Sequence, residues 1–412
     1  MTYRNDDIFV GHSQNVNIVF LILNKGKPLD SVHEFWARTP YLELCGADAI
    51  EKMPRPGAIK SIFHLTKLLF DKLNSINVEI LFLYFPILNI SQMSQLHQNY
   101  YQMGKSPNYL NVDGITVCGA FSEDAVRSAI NYKPRDDDSF VVTFPKCGTI
   151  WMQNIVFHIL NKGKPFESVH EFWARTPFLE LCGADAIEKM PRPGAIKIHF
   201  PFDKAPYSPS SKYIYVARNP KDTCVSFYHH TSKLKVYEFD GSFDEFFELF
   251  FNGRCDYGDY FDHILSWYEH RNDPNVLFLT YEGLKTDTRN SILKVAKFLG
   301  EEYENMIIND PEILENVLKY SSIEEMKNVK NKQTKEAPPI DILPSGVKHL
   351  KNYVKERGLT NLSNFELVRK GIVGDWKNYF NEEQAKKLDD KTREKLAGTD
   401  LLKFWKKLGI LE

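Results

Sequence analysis

The stretch that decides the fold is TFPKCGTIW, residues 143–151. The apolar run SFVVTF (139–144) is typical of a buried strand, and IWMQNIVFHIL (150–160) follows with apolar residues at helical spacing. Backbone N–H groups at a helix start, with Gly148 allowing close approach and Lys146 adding positive charge, form a site for a phosphate-like anion. The turn is not the nucleotide-triphosphate loop GxxxxGK[ST], because its lysine precedes the glycine and no second glycine lies upstream. Taken alone, it is also compatible with a plain strand-to-helix connection.

Further strands and helices alternate along the chain. The runs AIKIHF (195–200), YIYVA (213–217) and NVLFLTY (275–281) predict buried strands. Asn219 and Pro220 predict the N-cap and first turn of the next helix. This alternation predicts an α/β fold, a mostly parallel sheet flanked by helices on both faces, with ligands at the carboxyl ends of its strands.

One long region departs from this pattern. Residues 327–365 are rich in lysine, proline and glycine, which predicts a long loop with little fixed structure. Loops of this length are often lids, and a mobile surface loop is the alternative.

Composition and charge exclude several kinds of protein. The 412 residues are 43% apolar and 26% charged, as in ordinary globular proteins, and the net charge of −2 gives no basic field for nucleic acid. The six cysteines show no metal-ligand spacing, so we expect no metal, no disulfide framework and a cytoplasmic location. The most apolar run, 76–90, contains Glu79 and Pro86 and is shorter than the ~18–20 residues that cross a membrane, so we expect no membrane segment.

A long repeat divides the chain. Residues 17–60 align without a gap on residues 154–197, with 40 of 44 positions identical. Two copies do not make a solenoid. The first copy lacks the loop 143–151 and has Ile62 where His199 stands in the second. We therefore predict a non-catalytic segment 1–95, a partial duplicate of the region 132–197 whose order is left open, and a complete domain over 100–412.

Five segments in order resemble one family. TFPKCGTIW closely resembles the loop TYPKSGTTW of the cytosolic sulfotransferases, and the matches KIHFP (197–201), YVARNPKDTCVSFYHH (215–230), LTYEGLKTD (279–287) and RKGIVGDWKNYF (369–380) follow. The resemblance covers 100–412. It implies an α/β fold with a P-loop-like strand–loop–helix, and transfer of a sulfonate group from 3′-phosphoadenosine 5′-phosphosulfate (PAPS), with the product nucleotide PAP released.

The resemblance also implies roles for single residues. His199 is the expected general base, since an imidazole titrates near neutrality, and Lys146 and Lys197 would contact the sulfonate and the leaving phosphate. Without the family, the histidine would be read as structural and the lysines as solvated. The implied cofactor-binding residues are Lys146, Cys147, Gly148, Thr149, Ile150 and Trp151 at the loop, Arg218, Ser226, Arg369, Lys370 and Gly371 at the 3′-phosphate, and Tyr281, Ser321 and Ile323 near the adenine.

Some positions depart from the family. Ile150 replaces a second threonine, and Ile323 replaces an aromatic that commonly stacks on adenine, a contact worth roughly 1–3 kcal/mol. Whether the two isoleucines weaken cofactor binding is left open by the sequence. The C-terminal dimer motif KxxxTVxxxE is degraded over residues 377–386, so dimer formation is left open.

The acceptor pocket of the family is apolar and aromatic, with Phe121, Phe178 and Trp173 as its predicted walls. Such a pocket accepts a phenol, an aromatic amine or a steroid-like alcohol, which fits a role in detoxification. Two alternatives stay open. One is a nucleotide kinase, against which the missing GxxxxGK[ST] sequence counts, and the other is a non-catalytic PAP- or ligand-binding protein.

Overall fold

The described part of the chain is built around a parallel four-stranded sheet. The computed structural model describes residues 106–332, 343–359 and 369–411, so the predicted segment 1–95 lies outside the described residues. An antiparallel hairpin of β1 (Tyr109–Val112) and β2 (Ile115–Cys118) comes first. The sheet then has the order β4-β3-β5-β6, all parallel, formed by β3 (Ser139–Val142), β4 (Ile196–Ile198), β5 (Lys212–Ala217) and β6 (Val276–Thr280).

Helices connect these strands and follow them. In chain order the described helices are α1 (Glu123–Ile130), α2 (Thr149–Leu160), α3 (Val169–Arg175), α4 (Leu179–Cys182), α5 (Ala184–Glu188), α6 (Pro220–Lys233), α7 (Phe243–Phe251), α8 (Tyr260–Tyr268), α9 (Tyr281–Thr286), α10 (Thr288–Leu299), α11 (Glu301–Asn309), α12 (Pro311–Tyr320), α13 (Ile323–Lys332), α14 (Ser345–Glu356), α15 (Glu382–Lys395) and α16 (Asp400–Lys407).

The sheet is buried on both faces, as its apolar strands predict. Successive residues of a strand point to opposite faces. Phe140 and Val142 of β3 belong to a core with Trp267 of α8, whereas Val141 between them packs in a second core with Ile155 of α2. Parallel strands covered on both faces confirm the predicted α/β fold.

The predicted helix start after β5 is also confirmed. The Asn219 side chain accepts a hydrogen bond from the backbone N–H of Asp222 at 2.9 Å, and Pro220 occupies the first turn of α6. The amide cap and the fixed φ of proline both favour a helix beginning here.

The prediction of an unstructured loop over 327–365 is wrong where the structure describes that region. Helix α13 continues to Lys332 and α14 spans Ser345–Glu356. Val347, Leu350 and Val354 recur at intervals of three and four residues, so the lysine-rich sequence still has one apolar face. This helix packs on α4, where Gly346 lies so close to the Leu181 carbonyl that any side chain would overlap it.

The described residues contain no helix long and apolar enough to cross a membrane. Among the same residues, no group of three histidine, cysteine or acidic side chains is placed to bind a metal ion. The five cysteines in these residues are free thiols.

Candidate active site

A deep cavity opens at the carboxyl ends of the strands. Its volume is about 920 Å³. Lys146, His199 and Arg218 follow β3, β4 and β5, so the parallel sheet brings them to one edge. The sequence-predicted residues that line this cavity are Phe121, Lys146, Gly148, Thr149, Ile150, Trp151, Trp173, Phe178, Lys197, His199, Arg218, Ser226, Tyr281, Ile323, Arg369, Lys370 and Gly371.

Two predicted side chains do not line the cavity. The Cys147 Sγ atom is buried 3.6 Å from the Thr223 hydroxyl, and burial raises the pKa of this thiol to about 12. The Ser321 hydroxyl donates to the Val317 carbonyl at 2.6 Å, and the residue is 1% exposed. Cys147 can therefore contribute only its backbone to the anion loop. Ser321 is the C-cap of helix α12.

The loop before α2 is shaped to receive an anion. Gly148 is the N-cap of α2, with φ of 104°, and no side chain caps the first backbone N–H groups of the helix. A Cβ atom at this position would lie 2.8 Å from the Tyr281 ring. Glycine is therefore required both by the backbone conformation and by the close approach of the ring. The uncapped N–H groups are the donors that a phosphate needs.

Positive charge converges on this loop. Burial and, in that order, nearby Lys197, Arg218 and Arg369 together lower the pKa of Lys146 to about 7. Arg218 donates to the Lys146 carbonyl at 3.3 Å and to the Ile372 carbonyl at 3.1 Å. Its Nε atom is buried without a hydrogen-bond partner among the described residues. A buried unpaired donor within a group of cations fits a phosphate group.

The segment 369–376 brings further cations to the same cavity. Asp375 accepts hydrogen bonds from Arg369 and from Lys370, the latter at 2.7 Å. Burial opposes ionisation, but these bonds lower the pKa of Asp375 to about 2. The Asp222 carboxylate accepts from the backbone N–H groups of Gly374 at 2.8 Å and Trp376 at 3.0 Å. Asp222 thus fixes the segment against the start of α6.

Aromatic and apolar side chains flank the cations. The rings of Trp151 and Tyr281 lie 5.5 Å apart, edge to face, and the Arg218 guanidinium lies 4.4 Å from the centre of the Tyr281 ring. Ile323 contacts Gly371 so closely that a Cβ atom on that glycine would overlap its Cδ1 atom. Trp151, Tyr281 and Ile323 thus give this side of the cavity an apolar lining.

His199 is held in one tautomer. Its Nδ1 atom lies 2.7 Å from the Thr143 carbonyl oxygen, which can only accept a hydrogen bond, so Nδ1 carries the proton. The Nε2 atom is then left with its lone pair. Burial lowers the pKa of His199 well below 6.5, and Lys197 lowers it further. The imidazole is therefore neutral at physiological pH and able to accept a proton.

Two functional candidates were missed in the sequence. Glu180 is fully buried and accepts a hydrogen bond from the backbone N–H of His199 at 2.5 Å, and burial raises the pKa of this carboxyl group. His230 of α6 lines the cavity, and burial, followed by Lys146, lowers its pKa well below 6.5. Glu180 lies in an ordinary helical pattern with no local signal. His230 is part of the matched segment 215–230, which was the available signal.

The far end of the cavity has aromatic walls. The rings of Phe121 and Phe178 meet edge to face at 5.7 Å, and Lys197 Nζ lies 3.7 Å from the centre of the Phe178 ring. Trp173 is 37% exposed, at the solvent side. Tyr257, with its ring 5.3 Å from that of His199, was not predicted.

The fold and the cavity together are those of an α/β protein that can bind an anionic ligand beside a neutral histidine. Residues 136–400 match the family of sulfotransferase domains. The chain belongs to that family, and the protein is a sulfotransferase.

Individual relatives agree with this assignment. The chain is 36% identical over 289 residues to the 3-alpha-hydroxysteroid sulfotransferase of Cavia porcellus, covering 68% of this chain and 91% of the relative. It is 33% identical over 283 residues to sulfotransferase 1C2 of Rattus norvegicus, covering 66% and 86%. The crystal structure of mouse sulfotransferase SULT7A1 complexed with PAP matches with a TM-score of 0.56 and 30% identity, over 73% of this chain and 98% of that one. The predicted family, enzyme class and fold are thereby confirmed.

The depressed pKa of Lys146 predicts proton uptake when an anion binds beside it. Such an anion raises the pKa of Lys146 above about 7, so if PAP binds here, its binding at pH 8 would add a proton that the protein lacked, and its affinity would fall as the pH rises above 7. Below pH 7 Lys146 is protonated in both states and contributes no uptake. Calorimetry at pH 8 in buffers of different ionisation enthalpy measures the effect.

Two variants control this measurement. Lys146→Met should remove most of the uptake, whereas Lys403→Met, a change at an exposed lysine of α16, should leave it unchanged. Equal uptake by Lys146→Met and the wild-type protein would show that another group takes the proton.

Proposed function

We propose that the protein transfers the sulfonate group of PAPS to a hydroxyl or amine of a small, aromatic acceptor and releases PAP. The observation that carries this proposal is one cavity that joins the cationic loop, the neutral His199 and the aromatic walls. Crystallisation of the mouse relative with PAP supports the choice of cofactor.

The residues of the cavity fit this cofactor. The uncapped N–H groups at Gly148 and the ammonium of Lys146 would bind the 5′-phosphate end. Arg218, with its unpaired Nε atom, would bind the 3′-phosphate together with Ser226 and the cations of the segment 369–376. The adenine would lie between Trp151 and Ile323, beside Tyr281. Because Ile323 stands in place of an aromatic residue, the adenine face that it covers would gain dispersion contacts but no ring stacking.

The chemistry follows from the chain's own groups. PAPS, when bound, supplies an electrophilic sulfonate. Nε2 of His199 accepts the proton of the acceptor hydroxyl, and the Thr143 carbonyl keeps the ring oriented while it does so. The ammonium groups of Lys146 and Lys197 would stabilise the negative charge of the leaving phosphate of PAP. Glu180 holds the backbone of His199, so it positions the base.

The acceptor is proposed from the walls of the cavity. Phe121 and Phe178 favour a flat apolar body, so a phenol, an aromatic amine or a steroid-like alcohol fits. The Cavia relative is named for a hydroxysteroid. A cytoplasmic location, a detoxifying role and the absence of nucleic-acid and membrane partners belong to the same proposal, and the degraded motif at 377–386 leaves the dimer undecided.

A ligand comparison tests the cofactor assignment. PAP should raise the melting temperature of the protein by several degrees, while ATP at the same concentration should not, because the loop lacks the GxxxxGK[ST] sequence that holds a triphosphate. Stabilisation by ATP alone would favour the kinase alternative. Stabilisation by PAP with no sulfonated product from any phenol would favour a non-catalytic binding protein.

We also propose that residues 100–412 form the working domain and that 1–95 are a non-catalytic partial duplicate. A chain lacking residues 1–95 should keep PAP affinity and turnover within a few-fold, and should be at least as soluble, since the apolar run ILFLYF (80–85) is removed. Titration calorimetry and turnover of both chains test this. Loss of folding or activity would show that the segment is an integral part of the enzyme.

A further inference from the structure

A buried carboxylate lines the acceptor part of the cavity and has no role in the chemistry described above. Asp256 lies in the loop between α7 and α8 and is 3% exposed. Its Oδ2 atom accepts a hydrogen bond from the Tyr237 hydroxyl. Its Oδ1 atom is buried and has no hydrogen-bond partner among the described residues.

The loop is fixed close to the base. The backbone N–H of Tyr257 donates to the Thr116 carbonyl of β2 at 2.8 Å, and Tyr257 adopts a left-handed φ of 63°. This conformation brings its ring to 5.3 Å from the ring of His199. Neighbouring Cα atoms are about 3.8 Å apart, so Asp256 lies one residue from the side chain that faces the base. His199 and Asp256 line one cavity, so an acceptor bound at His199 occupies the cavity that Asp256 also lines.

The side chains close to Asp256 are uncharged. Burial first, and also the charge of Asp256, raise the pKa of each of three neighbours, Tyr109, Cys118 and Cys255. Phe121 and Val236 line the same cavity. Burial raises the pKa of Asp256 to about 7, and the hydrogen bond from Tyr237 opposes this rise. A buried carboxylate oxygen without a donor is costly, so a ligand that supplies one gains free energy there.

Another carboxylate, that of Asp185, also lines the cavity but already has a hydrogen-bond donor within the protein. Asp185 is only half-buried, and its Oδ1 atom accepts from the Ser345 hydroxyl at 3.3 Å. Among the described residues that line the cavity, Asp256 is the buried acid with an unsatisfied oxygen.

We propose that Asp256 selects acceptors that carry a protonated amine in addition to the reacting phenol, with the ammonium group donating to Oδ1. This inference rests on the proposed function, since it names the acceptor class of the same site. An ammonium group is favoured over a neutral hydroxyl because it both donates and balances the charge of the carboxylate, and charge-assisted hydrogen bonds are roughly twice as strong as neutral ones.

Matched pairs of phenols test the proposal. Tyramine is compared with 4-ethylphenol, 4-hydroxybenzylamine with 4-methylphenol, and 4-(3-aminopropyl)phenol with 4-propylphenol, so that the chain length between the ring and the amine varies. For at least one pair, kcat/KM of the amine should exceed that of its neutral partner by about tenfold or more. Asp256→Asn should remove this preference while the neutral phenols react as before. Asp262→Asn, the same change at an exposed site of α8, should keep it.

Three results would overturn the proposal. One is that no amine exceeds its neutral partner, and a second is that Asp256→Asn keeps the preference. The third is that 4-(2-hydroxyethyl)phenol equals tyramine, which would assign a neutral hydroxyl to Oδ1. Turnover of the neutral phenols reports separately on the proposed function. If none of them reacts, binding of the same pairs to the PAP-bound protein by calorimetry still decides the role of Asp256.

Discussion

His199→Ala is expected to lower turnover by about 10²–10⁴-fold, while the affinity for PAP stays within a few-fold of that of the wild-type protein. The reason is geometric. Nδ1 of His199 is engaged by the Thr143 carbonyl, so Nε2 is the basic nitrogen, and burial keeps it unprotonated. The imidazole acts on the acceptor hydroxyl and not on the nucleotide. Steady-state turnover with PAPS and a phenol, together with PAP titration calorimetry, measures the two effects.

A matched histidine provides the control. His349 is exposed on α14, and His349→Ala should leave turnover and PAP affinity unchanged. If His199→Ala reacted within a few-fold of the wild-type rate, the base would have to be another group. His230, which lines the same cavity, would be the next candidate.

Arg218→Ala should weaken PAP binding by about tenfold to a hundredfold, as expected for loss of a hydrogen-bonded charge from a buried anion site. Its effect on kcat should be small, because the 3′-phosphate is held equally before and during the reaction. Lys146→Ala should weaken PAP binding and lower kcat together, since that ammonium group lies at the reacting end. Calorimetry and steady-state kinetics of both variants separate the two roles.

A dephosphorylated nucleotide checks the assignment of Arg218. In the wild-type protein, removal of the 3′-phosphate from PAP should cost affinity, and in Arg218→Ala the same removal should cost much less. Arg289→Ala, a change at an exposed arginine that pairs with Glu315, serves as the control. An equal cost in the Arg218 variant and the wild type would place the 3′-phosphate elsewhere.

Local signals were enough to predict the elements around the anion loop. A buried strand, a glycine turn and a helix with apolar spacing are encoded by adjacent residues, so Ser139–Val142 and Thr149–Leu160 were predictable. Helix α14 was not, because its lysines dominate the composition. The apolar face of Val347, Leu350 and Val354 is stabilised by packing on α4 and α1, and these contacts join segments far apart in the chain.

The residues of the site also fall into two groups, those that the sequence could predict and those that only tertiary packing brings to the cavity. Lys146, His199 and Arg218 each follow a strand of one parallel sheet, so their convergence follows from the fold class. Glu180 and Asp256 carry no such signal. One lies in a short helix and the other in a loop, and tertiary packing alone brings the first to the backbone of His199 and the second to Tyr237.

The central claim is that a sulfonate group is transferred from PAPS to an acceptor within one cavity, with His199 as the general base. The most direct measurement is a single turnover, in which the full chain, in excess over sulfur-labelled PAPS, is mixed with 4-ethylphenol and the products are separated. The account predicts that the label moves to the phenol as one PAP forms per PAPS consumed, and that His199→Ala, with PAPS bound, transfers it at least about a hundredfold more slowly. Bound PAPS that keeps its label in the wild-type protein, or equal transfer by the variant, would contradict the account.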